Sequence, residues 1–408
     1  MVNYKNLQYA KFCAYGFLKN LVFFEAFLMV YLLGKGFSYT LIASLYTAKV
    51  IATNLMEIPS GLIADTYGRK TSLLIAFALF ILAFYILYAA NAYFLLLIAM
   101  IIYGLADAFR SGTHKGMIMD YLKNNGWSDL KITYYGGTRS WSQLGSAVSS
   151  LIAGGIVLFT DDYHSIFILS IVPYVLNFLN IASYPNELNF SNKKKETRSF
   201  KDTFINFWKA IKSIKVLLIV NSSALSTAYL KSIKDYIQPM LMTLVISLPF
   251  LKNYSNQERG AALIGVVYFI IYLLSSRASR AAKYFEKAKF AKFSTWTLVI
   301  AFAAGSLSGL FYEVKWIYGV LLFFSGIFIV ENLRKPVLTG MIAREVKPEI
   351  LSSVLSVQSS FNTLTNAALT MTIGVIVDHL DIGYGLMLTS FVLLLISFLI
   401  GAKQKSIF

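Results

Sequence analysis

Twelve apolar runs dominate the chain, at about 12–33, 41–63, 71–90, 93–116, 134–158 and 163–183, then 216–247, 260–279, 292–311, 315–340, 350–377 and 383–402. Each is long enough to cross a bilayer, which takes about 20 apolar residues. Hydrocarbon offers the backbone no water, so every run must satisfy its own N–H and C=O groups and is predicted to be a helix. Composition agrees: only 14% of the residues are charged, against about a quarter in soluble domains. The expected fold is an all-α membrane protein with twelve transmembrane helices in two pseudo-symmetric six-helix bundles. The N-terminal bundle covers 1–185 and the C-terminal bundle 216–408, joined by a cytoplasmic linker at 186–215.

A net charge of +17 would suggest nucleic acid in a soluble protein. Here it describes topology, and no nucleic-acid partner is expected. With the N-terminus inside, the inner segments hold Lys5, Lys11, Arg69, Lys70, Lys115, Lys123, Lys131, the basic groups of 193–215 and 277–292, Arg344, Lys347, Lys403 and Lys405. The outer loops hold Lys35, Lys252, Arg259 and Lys315. This positive-inside imbalance predicts a multi-pass protein of the cell (cytoplasmic or inner) membrane with both termini cytoplasmic. The polar stretch Met1–Lys11 runs into a full-length span without a small-residue cleavage site, so no cleaved signal is expected. The single Cys13 excludes an internal disulfide. In the linker, Lys193–Lys195 precede Phe200, Phe204, Phe207, Trp208 and Ile211 at helical spacing among lysines. That pattern predicts a basic amphipathic helix lying on the lipid bilayer, with a partner-binding linker as the alternative.

The turn between the second and third runs, Glu57–Lys70, carries Gly61, Asp65, Gly68, Arg69 and Lys70. Its charges are costly in hydrocarbon and mark the water face. Its glycines permit a sharp turn and close helix approach. The five residues fall at the spacing of the signature loop of the major facilitator superfamily, with Ile63 and Ala64 in its apolar places, and the stretch resembles that loop. The resemblance implies a secondary transporter working by alternating access through a cavity between two bundles. It implies that Asp120, at the inner end of the fourth run, pairs with Arg69. It also implies that Asp65 faces the start of the eleventh helix near Pro348-Glu349, where the helix dipole is positive. Gly61, Asp65, Gly68, Arg69, Lys70 and Asp120 are therefore the expected gating residues.

The two halves echo each other. Asp107-Ala108-Phe109-Arg110 is followed by Gly116-Met117-Ile118, and Glu331-Asn332-Leu333-Arg334 by Gly340-Met341-Ile342 at the same offset. Phe17-Leu18-Lys19-Asn20-Leu21 in the first run answers Tyr229-Leu230-Lys231-Ser232-Ile233 in the seventh. Parallel repeats of this kind relate the halves of many transporters. The second copy of the signature loop, near 275–280, keeps mainly positive charge.

Ionisable residues within spans cost about 2.5–3.5 kcal/mol each on insertion scales, so they rarely face lipid. Helices one, four, seven and ten line the central cavity in the superfamily that the chain resembles, and the echoed bases fall on all four. At ~1.5 Å rise per residue, Lys19 and Arg110 lie at similar depth. Lys19, Arg110, Lys231 and Arg334 are the expected substrate contacts, suited to an anionic group because Arg offers a planar fork and Lys a point charge. The alternative is internal neutralisation, since Asp107 and Glu331 each stand three residues before an Arg on one helix face. Glu25, Asp107, Asp235 and Glu331 are equal candidates for proton coupling.

The expected function is a monomeric secondary transporter of a small solute, driven by protons or a counter-transported ion and tilted toward a small organic anion. A proton-coupled exporter of amphipathic drugs or cations is the alternative. The fifth run weakens it, because Ser146, Ser150, Leu151, Gly154 and Gly155 lack the proline of the drug-antiporter pattern. A non-transporting receptor or a polytopic membrane enzyme is the alternative of another class. There is no Gly-x-x-x-x-Gly-Lys loop, no nucleophile elbow and no paired metal ligands, and His114 is given no metal role. No enzyme activity, cofactor or metal is expected.

Overall fold

A computed structural model describes residues 5–127, 130–189, 214–249, 251–285, 289–345 and 348–407. No strand occurs among them, and eleven helical stretches are long and apolar enough to cross a membrane. The helices in chain order are α1 (Leu7–Leu18), α2 (Leu28–Gly34), α3 (Tyr39–Tyr67), α4 (Arg69–Ala89), α5 (Tyr93–Arg110), α6 (Thr113–Asn124), α7 (Lys131–Thr160) and α8 (Ser165–Ala182). They continue as α9 (Ile214–Ile233), α10 (Ile237–Leu244), α11 (Asn256–Ala281), α12 (Phe290–Glu313), α13 (Ile317–Glu345), α14 (Pro348–Leu380) and α15 (Ile382–Ile407). The amphipathic helix expected over 200–211 lies outside the described residues.

The described residues gather in two compact units. One is drawn from 1–31, 48–195 and 249–269, the other from 32–47, 196–248 and 270–408. The first unit is cored by aromatics from the first, third and sixth spans. Phe24 stacks on Phe167 at 4.8 Å between ring centroids and meets Phe84 edge-on at 4.8 Å. Tyr174 meets Phe84 at 4.7 Å and Phe80 at 5.2 Å. Such pairs each contribute about 0.5–1.5 kcal/mol beyond area burial. In a lipid-facing protein, where apolar burial alone gives little drive, this packing sets the helix order. In the second unit α12 packs on α13 and α15, and α9 on α14. Asp378 there accepts from the backbone N–H groups of Tyr39 and Thr40, both at 2.8 Å, and so closes the start of α3.

Three runs expected to be continuous are broken, and the echoed bases stand at the breaks. The first span stops after Leu18, passes through a tight turn at Phe23–Ala26 and resumes as α2. The Asn20 side chain donates to the Gly16 carbonyl at 2.8 Å, and the Tyr174 hydroxyl donates to the Lys19 carbonyl at 2.8 Å. Carbonyls normally satisfied within a helix are thereby taken by side chains. The fourth span stops at Arg110 and restarts at Thr113 through Gly112, whose φ of 71° is left-handed. That conformation suits glycine, which has no Cβ to clash. The seventh stops at Ile233, two residues after Lys231, and continues through a turn at Lys234–Tyr236 into α10. The tenth, α13, runs on unbroken with Pro336 inside it.

Candidate functional site: a basic cavity and a clamped loop

The breaks of the first and fourth spans open onto one cavity of about 380 Å³ within the first unit, a size that suits a small solute. Lys19 and Asn20 line it from the end of α1, Arg110, Ser111 and Gly112 from the α5–α6 break, and His114 and Lys115 from the start of α6. Tyr135, Arg139, Ser142 and Ser146 line it from α7. Their i, i+4, i+7, i+11 spacing puts them on one helix face. None of the described lining residues is an acid.

Glycines bring the two walls together. A Cβ on Gly16 would stand 2.8 Å from the Ser142 hydroxyl and 3.0 Å from the Thr138 carbonyl, and one on Gly145 would run into the Phe17 carbonyl. Helix α1 can approach α7 this closely only with glycine at both positions. The back wall is aromatic: the His114 ring stacks on Tyr15 at 3.5 Å, and its Nε2 lies 3.4 Å from the Tyr184 hydroxyl.

Asp107 stands behind the cavity and is shared. It accepts from Arg110 at 2.8 Å on one oxygen and lies 3.5 Å from the Lys49 ammonium on the other. Lys49 also sits 3.4 Å from the centre of the Tyr103 ring, a cation–π contact. Lys19 and Arg139 have no carboxylate within ion-pair distance among the described residues. Glu25 lies exposed in the turn Phe23–Ala26.

The echoed motif is placed differently in the second unit. Arg334 is 1% exposed. Its fork donates to the carbonyls of Ser294 at 2.5 Å and Ser222 at 2.9 Å, and to the hydroxyls of Ser222, Ser294 and Thr297. Glu331, also buried, makes no ion pair with it and accepts instead from the hydroxyls of Ser226 and Thr227. Lys231 is exposed, and Asp235 lies 3.8 Å from the Lys234 ammonium.

The Glu57–Lys70 stretch forms the end of α3, Gly68 and the start of α4. Arg69 pairs with Asp120 at 2.6 Å. Gly116 makes room for that guanidinium, since a Cβ there would stand 2.8 Å from it. The sequence held no hint of the role of Asn189. Its carbonyl accepts from the Arg69 N–H at 2.7 Å, and its side-chain oxygen accepts from the N–H groups of Lys70 at 2.9 Å and Thr71 at 3.3 Å. Asn189 thus caps α4 from 119 residues away in the chain, in place of Gly68, which has no side chain to do so. Gly68 has φ 98° and lies against the Asn189 amide, where a Cβ would collide with it. The Lys70 ammonium donates to the Tyr184 carbonyl at 2.7 Å. Asp65 is exposed. Gly61 is exposed with open space where its Cβ would be, so the close approach expected there occurs at Gly68 instead.

Outside the spans, Asp162 closes the start of α8. It accepts from the N–H of His164 at 2.7 Å and of Ser165 at 2.9 Å. Burial acts to raise its pKa, but the hydrogen bonds from Ser165 and His164 outweigh that and hold the carboxyl below its ordinary value.

Residues 10–368 match the sequence profile of the Major Facilitator Superfamily. The chain belongs to this superfamily. It is 24% identical over 231 residues to the uncharacterized MFS-type transporter YxaM of Bacillus subtilis (strain 168), a match spanning 55% of this chain and 56% of that protein. The nucleoside transporter NupG has the same fold, with a TM-score of 0.76 at 14% identity over 97% of this chain and 99% of NupG. A bacterial homolog of the human lysosomal transporter Spinster matches with a TM-score of 0.73 at 13% identity, over 100% and 98% of the two chains. The D-xylose-proton symporter matches at 0.67 and 14%, over 96% of each. The protein is a multi-pass membrane protein of a secondary-transporter superfamily, and its fold is that of two six-helix halves.

Proposed function

We propose that this transporter carries a small organic anion by alternating access, with Lys19 and Arg110 as substrate contacts. The observation behind this reading is the cavity in the first unit, lined by Lys19, Arg110, Lys115 and Arg139 with no acid among its described lining residues. A cation would be repelled from such a lining, while a carboxylate or phosphate gains charge-assisted hydrogen bonds there. The first turn of α6, which opens at the same cavity, adds its positive dipole end. Lys231 is the matching contact in the second unit. Arg334, whose fork is filled by carbonyls and hydroxyls, is assigned to holding that unit together.

Coupling is to protons, through Glu331. Of the four acids, Asp107 is neutralised by Lys49 and Arg110, Asp235 has Lys234 beside it, and Glu25 is exposed. Glu331 is buried against hydroxyls. A hydroxyl can turn to donate to a carboxylate or to accept from a carboxylic acid, so that site tolerates both protonation states. The Arg69–Asp120 pair, with Asp65, Gly61, Gly68 and Lys70, forms the cytoplasmic gate. The 186–215 linker joins bundles 1–185 and 216–408, both termini are cytoplasmic in the cell membrane, and the working unit is a monomer.

A thermal-shift screen of purified protein tests the reading, because a ligand that binds the folded state raises the melting temperature by mass action. Small organic anions should raise it in the wild type and not in Lys19→Ala. A shift from lipophilic cations alone would replace the anion reading with cation export.

A further inference from the structure

The cavity's charges do not balance, and the imbalance is specific. Behind it, Asp107 is engaged on both oxygens, by Arg110 at 2.8 Å and by Lys49 at 3.5 Å. That carboxylate is therefore committed before a ligand arrives. Lys19, Arg139 and Lys115 line the same space without an acid in ion-pair range among the described residues, Lys115 lying over the Tyr135 ring 5.5 Å from its centre. The positions of Lys19 and Arg139 are fixed by packing: the Lys19 carbonyl is held by the Tyr174 hydroxyl, and Gly16 and Gly145 seat the end of α1 against the face of α7 that carries Arg139.

Resting on the anion reading, we infer that the substrate is a dianion, of the phosphomonoester or short dicarboxylate class, whose two charges are met by Lys19 and Arg139. A monoanion would leave either Lys19 or Arg139 unmatched in a site of reduced dielectric, where Coulomb terms are several times stronger than in water. A dianion matches Lys19 and Arg139, while Lys115 is exposed and rests over the Tyr135 ring. Arg110 keeps Asp107 as its partner and offers the ligand its remaining N–H groups. Arg139 is then the specificity-determining residue that separates doubly from singly charged ligands. Its exposure and its planar fork suit a two-oxygen contact. The cavity volume leaves room for an organic remainder of a few heavy atoms beyond the charged group.

Methyl phosphate and dimethyl phosphate provide the test, since they differ little in shape but carry about two and one negative charges at pH 8. Binding is measured by calorimetry on the full chain in nanodiscs of zwitterionic lipid, with and without added phosphatidic acid, whose headgroup has the same phosphomonoester chemistry. Methyl phosphate should bind at least ~10-fold more tightly than dimethyl phosphate, the least expected of one added charge near a cation. Arg139→Gln and Lys19→Gln should each bring the two ligands to near parity, while Arg139→Lys keeps the preference. Ligand-free melting temperatures of the Gln variants should be unchanged or higher, because each removes an unmatched charge. Phosphatidic acid that blocked methyl phosphate would name the lipid headgroup as the source of the dianion; no competition would name a soluble ester. Equal affinity for the two esters, or a preference that survives both Gln variants, overturns the dianion assignment and leaves the anion reading standing. Binding of tetraphenylphosphonium with no binding of either ester, succinate or acetate would overturn both.

Discussion

Arg110 and Arg334 occupy the same place in an internal repeat, each three residues after an acid and six before Gly-Met-Ile. In the first unit the arginine ion-pairs with its acid, keeps 29% of its side chain exposed and lines a cavity. In the second it leaves Glu331 to two hydroxyls and disappears into Ser222, Ser294 and Thr297. The difference shows that the neighbouring helices, more than the motif, decide what a membrane arginine does. Where small hydroxylated residues surround it, as on α9 and α12, they and their carbonyls use up the fork. Where a lysine and aromatic rings surround it, part of the fork stays available.

The largest expected effect that tests this contrast is on stability. Arg334→Leu should destabilise the protein by about 3 kcal/mol or more, because buried carbonyls and hydroxyls lose a charged donor. Arg110→Leu should cost less than about 1 kcal/mol, since Asp107 keeps Lys49. Unfolding in mixed micelles measures both, and the reverse order would break the comparison. Transport should rank the other way. Arg110→Leu should lower initial uptake at least ~10-fold, the loss expected for one charge-assisted contact of about 1.5–3 kcal/mol.

The acids sharpen the contrast further. Glu331→Gln keeps an acceptor for one hydroxyl but cannot take up a proton. It should abolish accumulation driven by a pH gradient while leaving exchange between equal pools. Asp107→Asn should instead strengthen anion binding, because it leaves Lys49 and Arg110 beside the cavity without their shared carboxylate. Identical phenotypes for the two variants would contradict the separate roles.

The smallest effect concerns the loops. In the first unit Gly68 separates α3 from α4, and Asn189 caps α4 from outside. The corresponding segment of the second unit, 275–280, lies inside α11. Asn189→Ala should cost about 1 kcal/mol of stability, as other N-cap losses do, and Asn189→Asp should restore it. A variant series with no change in melting temperature would remove the capping assignment.

The sequence was informative wherever one residue type can serve only one purpose. Apolar runs of span length can be little but helices in a membrane, and five spaced residues at 61–70 identified the superfamily. Lys19 and Arg110 were legible because charge is rare in spans. The helix breaks beside them were missed, although Lys19-Asn20 and Ser111-Gly112 interrupt apolar runs with polar or glycine pairs and could have signalled them. Nothing local marks Arg139 as a cavity residue, because its place beside Lys19 depends on the contact of Gly16 with Ser142, which no local pattern encodes. The hydroxyl nest around Arg334 was hidden for the same reason: Ser222, Ser294 and Thr297 come from different helices. Asn189 sits in a polar segment where one asparagine looks like any other.

Counterflow decides whether the basic cavity of the first unit admits small organic anions for transport. Proteoliposomes preloaded with unlabelled methyl phosphate, succinate and acetate would be diluted into trace amounts of the labelled compounds. A transient overshoot of label is expected for at least one dianion, absent in Arg110→Leu and in Lys19→Ala. An overshoot for labelled tetraphenylphosphonium in a parallel loading, with none for any anion, would contradict the anion reading.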